Sequence, residues 1–283
     1  MKILGLVGSH RKLGNTEVLV KEALLEAQRL GAEVDLIRLT DLRIEPCKGC
    51  MACLFKQEEC RIQDDWLTFK NRILESDAVI LGAPTYLLGP AGIIKMLIDR
   101  NVAFLYGSPK NNPKPGAIIG VSGIIGWEPF SLPMLNIFLM TCGLKVVDQV
   151  MFYAQGPGEI LLDHSAMKRA RKVGANVLQA ISKQSERLNY YGEIGICPVC
   201  HQNIFQVKED HLECALCQAK AKVKIDDGNI KLVFDKRSFK DNRWSDEALF
   251  KNFSLAVLPS AEKFLRKRDK IMEKSKKYRE FPP

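Results

Sequence analysis

The chain has 283 residues, 46% of them hydrophobic and 27% charged, which is globular content and enough length for one α/β domain with a smaller appendage. The formal charge of +9 points toward nucleic acid, but nine Lys and Arg residues crowd 263–279 against only Asp269 and Glu273, so the excess reads as one solvated helix face. No stretch approaches the roughly 18 uninterrupted apolar residues of a membrane span, and the apolar start is too short for a signal peptide, so no membrane partner and a cytoplasmic location are expected.

Short runs rich in Val, Ile and Leu at 2–8, 33–39, 78–83, 116–122 and 144–152 alternate with helical patterns at 16–30, 65–75, 92–101, 129–142 and 163–188. That rhythm predicts an α/β fold, a doubly wound five-stranded parallel sheet with crossover helices on both faces, ending near 190. Ligands of such sheets sit beyond the carboxyl ends of the strands, so the loops after strands one, three and four matter most.

The first strand runs into GSHRKLGNT at 8–16 and then a helix. A helix N-terminus offers free backbone N–H groups and a positive dipole end to an anion. The Ser9 and Thr16 hydroxyls and the Asn15 amide add donors, and Gly14 lets the backbone close in. The run lacks both the GxGxxG of a dinucleotide fold and the Gly-Lys-Ser/Thr of an NTPase loop. A terminal monophosphate, the group FMN carries, therefore fits better than a pyrophosphate or triphosphate. His10 reads as a neutral loop histidine.

Eight of the nine cysteines form two quartets. Cys47, Cys50, Cys53 and Cys60 lie in the loop 44–65 after the second strand, and their x2 spacings resemble ferredoxin-type thiolates that reach different irons of one cluster. A cluster-free loop of redox thiols and a zinc site are the alternatives. Farther along, Pro84 ends the third strand, Tyr86 offers an aromatic face, and Gly89 and Gly92 permit close approach of a flat ring. Cys142, just before Gly143, reads as a buried small residue.

Residues 191–236 change character. Cys197-x2-Cys200 and Cys214-x2-Cys217, 13 residues apart, form two knuckles that predict a zinc ribbon, with rubredoxin-like iron as the alternative metal. So short a segment has too little core to stand without a staple. Asp227-Gly228 marks a hairpin turn. His201 completes a CxxCH string, but the second knuckle already accounts for the first. Residues 237–283 read as a basic helical tail, broken at Pro259, restarted by Ser260 and closed by an unpacked Phe-Pro-Pro end. The expected domains are thus 1–190, 191–236 and 237–283.

GSHRKLGNT at 8–16, followed by PTYLLGPAGIIKMLIDR at 84–100, resembles the NADPH-dependent FMN reductase and iron-sulfur flavoprotein group, whose fold is flavodoxin-like; the likeness spans 1–185. The resemblance implies that Ser9, Arg11, Gly14, Asn15 and Thr16 hold the FMN phosphate. It implies that Pro84, Thr85, Tyr86 and Leu87 flank the isoalloxazine beside Gly89, and that Ser122 and Gly123 complete the pocket. The flavin itself supplies the redox chemistry, so no catalytic side chain is expected. The resemblance further implies a 4Fe-4S cluster on the first quartet and electron exchange between a ferredoxin-like carrier or NAD(P)H and a small acceptor. Assembly as a dimer or tetramer is implied as well. A cluster-free NAD(P)H-dependent reductase of quinone, nitro or azo compounds is the alternative, and a flavin-bearing regulator that contacts nucleic acid is the third reading. The group does not generally carry the C-terminal extension.

Overall fold

β-branched and aliphatic runs that are buried on both faces favour parallel strands, as in Lys2–Val7 (β1), Ala78–Tyr86 (β3), Lys114–Ser122 (β5) and Leu144–Tyr153 (β6), and the half-buried run Glu33–Arg38 (β2) adds a parallel edge strand. A two-residue return, Gly89–Pro90 (β4), pairs antiparallel with the end of β3. The computed structural model describes residues 1–56, 58–105, 113–183, 188–193 and 195–279. The large sheet has the order β2-β1-β3-β5-β6, every neighbouring pair parallel, which is the flavodoxin-like arrangement.

The crossovers are Asn15–Arg29 (α1), the single turn Ala52–Phe55 (α2), Trp66–Glu75 (α3), Gly92–Arg100 (α4), the single turn Val102–Leu105 (α5), Ser131–Thr141 (α6) and His164–Ser182 (α7). One core lies between the sheet and α1 with α7, around Leu19, Ala23, Ile80, Ile119 and Val173. The other lies beneath α3, α4 and α6, where Phe69 meets Phe104 and Phe138 edge to face. The predicted helix 163–188 is observed to Ser182, and its 184–187 stretch lies outside the described residues.

A register shift opposite Gly116 and Ala117 lets β6 bulge at Val147. The bulge aims Asp148, which is fully buried, at α7, where Arg169 and Asn176 bind its carboxylate.

Beyond the sheet, Phe205–Val207 (β7), Leu212–Cys214 (β8), Lys220–Asp226 (β9) and Asn229–Phe234 (β10) form a separate antiparallel sheet in the order β10-β9-β8-β7. The hairpin turn falls at Asp227 and Gly228, both with positive φ, as the sequence predicts. This small sheet docks on α6, whose Ile137 and Met140 touch its cysteine core. Gln149 ties it to β6 by donating to His201 O (2.8 Å) and accepting from Gln202 Nε2 (2.8 Å) and Asn136 Nδ2 (2.7 Å). His201 also stacks on Tyr190 at 3.5 Å.

The tail enters through Trp244, whose Nε1 donates to Leu216 O, and continues as Asp246–Asn252 (α8), a wide turn at Phe253–Val257 and Leu258–Arg279 (α9). Pro259 does not break the tail as expected. It sits in the first turn of α9, where a missing N–H costs nothing, and the wide turn before it absorbs the change of register. The Phe-Pro-Pro end lies outside the described residues.

Helices α1 and α7 cross so closely that a Cβ on Gly174 would lie 1.9 Å from the Ala23 carbonyl oxygen, which is backbone and cannot step aside. Gly174→Ala is therefore expected to destabilise the protein by about 1–3 kcal/mol despite the better helix propensity of alanine. Urea unfolding monitored by circular dichroism checks this, and an unchanged or higher midpoint would refute the close crossing.

Candidate functional site

The carboxyl ends of β1, β3, β5 and β6 open onto a cleft of about 320 Å³. Its lining brings together Ser9, Arg11, Gly14, Asn15, Thr16, Pro84, Thr85, Tyr86 and Gly123 from three loops far apart in sequence. Leu87, Gly89 and Ser122 lie outside that lining. Leu87 projects from the hairpin tip, Gly89 faces Met134, and the buried Ser122 hydroxyl donates to Ile124 O at 2.9 Å, shaping the loop from beneath. Val121, Ile124, Ala154 and Gln155 line the cleft without having been singled out. Ala154 and Gln155 follow β6 and carry no hydroxyl, ring or glycine signature, so only their position at a strand's carboxyl end could have indicated them.

One end of the cleft is built for an anion. Gly14, the N-cap of α1, has no side chain to satisfy the first-turn N–H groups. A Cβ there would sit 2.9 Å from Arg11 Cβ, so only glycine fits the turn. Among the described residues the Arg11 guanidinium has no carboxylate partner, which leaves its charge for a ligand. The Asn15 amide plays a different part from the one expected. Its Nδ2 donates to Gly156 O (2.9 Å) and Ala154 O (3.3 Å), and its Oδ1 accepts from Ile160 N (3.2 Å). It is a tether between loops, and its backbone N–H is the group left to face the cleft.

Behind the loop, Glu17 is buried and accepts from Leu13 N (2.9 Å), Lys21 (2.6 Å) and Arg38. Burial alone would raise its pKa, but the hydrogen bonds from Lys21 and Leu13 and the charge of Arg38 outweigh it and hold the carboxyl below its ordinary 4.5. Arg38 and Thr40 also donate to Ser9 O, both at 3.1 Å, so the loop is clamped from strand two.

The other end is apolar. The β3–β4 turn places Leu87 and Leu88 at positive φ, an unusual conformation for leucine. Phe130 N donates to Leu88 O (3.0 Å), which sets this turn beside the 124–130 loop with exposed Ile125 and Trp127. Tyr153 donates to Glu128 Oε1 at 2.9 Å; burial and then that carboxylate push its pKa up to about 12, so the phenol stays protonated.

The two cysteine quartets differ in kind. Cys197, Cys200, Cys214 and Cys217 are all buried, with their sulfurs within 4.8 Å of one another, which suits a single tetrahedral ion. Hydrogen bonds among the four thiols lower the Cys197 and Cys214 thiols and raise those of Cys200 and Cys217. His201 beside them is held at about pKa 4 by burial and by the Lys145 charge, so it is neutral. In the first quartet Cys47 and Cys50 are exposed and Cys53 and Cys60 half-buried, and among the described residues these four are not drawn into such a group. Burial, then the neighbouring Cys60, Cys47 and Cys50, raises the Cys53 thiol. Cys142 is buried, its thiol pushed up by burial and bonded to Asn101 Nδ2 at 3.1 Å.

Arg100 anchors the first quartet's loop. Its side chain is 1% exposed, it pairs with fully buried Asp64 at 2.7 Å, and it donates to Glu45 O (2.8 Å) and Cys60 Sγ (3.3 Å), so both ends of the loop meet one guanidinium.

The sequence profile of the NADPH-dependent FMN reductases matches residues 1–156, which include every residue lining the cleft. The chain belongs to that family. This FMN reductase family member is an FMN-dependent oxidoreductase, and no described helix is long and apolar enough to cross a membrane. It is 31% identical over 268 residues to a flavone synthase of Aspergillus candidus, covering 83% of this chain and 82% of that one. It is 34% identical over 190 residues to an iron-sulfur flavoprotein of Methanocaldococcus jannaschii, covering 64% of this chain and 97% of that one. A solved structure described as a flavone reductase shares the fold of the whole chain, with a TM-score of 0.83, 22% identity and coverage of 100% of this chain and 98% of that one.

The Asp64 carboxyl is the place where acid should act on this family member. Burial raises its pKa, but the Arg100 hydrogen bond, the Glu45 and Trp66 N–H groups and the Arg100 charge overcome that and leave it below its ordinary 3.8. A lowered folded pKa gives stability that is fully present above the unfolded value and lost as pH falls through the folded one. The unfolding free energy should therefore decline as pH drops below about 4, with a shallower decline in Asp64→Asn. Arg100→Met, which strands a buried carboxylate, should cost about 3–5 kcal/mol at neutral pH; denaturant titration across pH measures both.

Proposed function

We propose that the protein binds FMN in the cleft and passes electrons between NAD(P)H or a ferredoxin-like carrier and a small flat acceptor. The observation that carries this reading is the cleft's division into an anion-ready end and an apolar, aromatic-edged end within one space, which matches a phosphate joined to a flat ring. Ser9, Arg11, Gly14 and Thr16, with the Asn15 backbone, would hold the phosphate. Pro84, Thr85, Tyr86 and Gly123 would flank the ring, with Leu87, Gly89 and Ser122 setting the loops around it. FMN supplies one- or two-electron chemistry when bound, and the chain's own part is to orient it, exclude water and keep the protonated Tyr153 near the apolar end.

The whole-chain relative is named for flavone synthesis, and a flat phenolic or other conjugated acceptor of that breadth suits the shelf beside Tyr86, Ile124 and Trp127. In this reading 1–190 is the flavin unit, 191–236 a zinc-stapled ribbon and 237–283 a basic tail, in a protein of the reducing cytoplasm that works as a homo-oligomer. Iron is the alternative metal of the ribbon.

The first quartet is proposed to hold a 4Fe-4S cluster. Four thiols lie in one short loop, and a buried cation at Cys60 suits an anionic cluster. The cluster-free reductase is the second reading, favoured by the exposure of Cys47 and Cys50.

The first experiment is the visible spectrum of protein purified without oxygen, before and after reduction. Flavin bands with a broad absorption that bleaches on reduction are expected; flavin bands alone would leave the cluster-free reductase, and no flavin would sink the reading. Arg11→Ala and Thr16→Val should each weaken FMN binding roughly 10- to 150-fold, as expected for a lost hydrogen bond to a charged group, measured by flavin fluorescence titration. Metal analysis should return one zinc per chain, and its removal should cost the ribbon's circular dichroism signal while the flavin remains bound.

A further inference from the structure

Behind the first cysteine loop, charge is buried against a sulfur. Arg100, the last residue of α4, has a side chain only 1% exposed, and its guanidinium is committed on several sides. Nη1 donates to Glu45 O (2.8 Å) and Asp64 Oδ2 (2.7 Å), and Nη2 donates to Asp64 Oδ1 (3.1 Å) and Cys60 Sγ (3.3 Å). The ring of buried Trp66 lies 5.4 Å from its central carbon. Among the described residues, Cys60 is the thiol of this quartet to which a side chain donates.

Bracing the loop needs only Asp64 and the Glu45 carbonyl. The bond to sulfur is additional, and it brings a cation to a thiol where water cannot screen the charge. Asp64 offsets that charge in part, because its carboxylate also serves the N–H groups of Glu45 (2.8 Å) and Trp66 (3.1 Å), and it is Arg100 that touches the sulfur. Two more donors of this wall, Arg100 Nε and Trp66 Nε1, are buried and uncommitted among the described residues. Such a donor set suits an acceptor-rich anion, which an iron-sulfur cluster held by four thiolates is. The opposite side of the loop differs. Cys47 and Cys50 are exposed, and Arg61, the cation next to Cys60 in sequence, is 58% exposed and paired with Glu58 at 2.6 Å.

We propose that Arg100 is a positioning residue that sets the reduction potential of the first quartet's cluster, making it about tenfold easier to reduce by one electron than the same loop without the cation. This rests on the reading of that quartet as a 4Fe-4S site. Uptake of one electron breaks no bond and adds one negative charge to the thiolate-ligated group. A cation donating to Cys60 Sγ stabilises the more negative state more strongly, which is how partners beyond the ligands tune such a centre. The electron comes from the NAD(P)H or carrier named above, and a cluster that is easier to reduce accepts it from weaker donors.

The test is a redox titration of the full chain, reconstituted with iron and sulfide without oxygen. It is poised with dithionite and mediators and read by the visible bleaching and by electron paramagnetic resonance of the reduced cluster. Arg100→Gln combined with Asp64→Asn removes the cation and its counter-ion together, strands no buried charge, and should lower the midpoint by the tenfold factor, about 59 mV for one electron. Asp64→Asn alone leaves the cation unopposed and should raise the midpoint. Arg61→Gln should leave it in place, because water and salt screen that charge. Opposite signs from one ion pair require an electrostatic role; a residue that only braces the loop would move both variants alike or neither.

An unchanged midpoint in the double variant overturns the proposal, as does a midpoint that Asp64→Asn fails to raise. A double variant with native circular dichroism that takes up no cluster overturns it too, since Arg100 would then hold the site rather than tune it. A wild type with no bleaching absorption and no reduced-cluster signal after reconstitution would refute the cluster reading and this inference with it, whereas a cluster whose midpoint ignores Arg100 and Asp64 refutes this inference alone.

Discussion

Both ends of the Asn15 amide tie the loop between β1 and α1 to the loop after β6, and the cleft exists because those two loops are held together. A parallel sheet leaves its carboxyl edge ragged, with each loop free to choose its own direction. Three hydrogen bonds from one side chain at the start of α1 remove that freedom. Glu17, Arg38 and Thr40 act on the other side of the same turn, so its backbone N–H groups are aimed before any ligand arrives. Such preorganisation lowers the cost of binding, because little ordering remains to be done.

The two cysteine quartets show how the same ligand type serves different ends. The ribbon's sulfurs are buried and close, with backbone hydrogen bonds holding the knuckles, such as His201 N to Cys197 O and Gln218 N to Cys214 O, both at 2.9 Å. Four sulfurs this close suit a single bound cation, whose binding would add to the ribbon's folding energy. The first quartet instead lies on an open loop pinned at its base by Arg100 and Asp64. That pair sits in a nearly waterless place, stacked on Trp66 at 5.4 Å, and sets where Cys60 stands relative to Cys47, Cys50 and Cys53.

The ribbon is not a loose appendage. Gln149 belongs to the central sheet yet satisfies His201 and Gln202 of the first knuckle, and Asn136 of α6 completes the set. The knuckle is thus fixed to β6, whose carboxyl end leads into Ala154 and Gln155 of the cleft.

The sequence by itself determined the alternation of strands and helices, the glycine-bearing loop between β1 and α1, the hairpin at Asp227 and Gly228, and the pairing of the ribbon's two CxxC knuckles. Each of these is written in local chemistry: side-chain period, turn residues, hydroxyls at a helix start, or cysteine spacing. Only the tertiary structure decided that Asn15 is a tether, that Ala154 and Gln155 line the cleft, that Arg100 reaches Cys60, and that Pro259 continues a helix. Those roles depend on partners up to 145 residues away, as with Ile160 and Asn15, or on how a backbone shifts register to accommodate one residue. No local pattern encodes which carbonyl an amide will meet, because that is settled by the packing of strands and helices into one sheet.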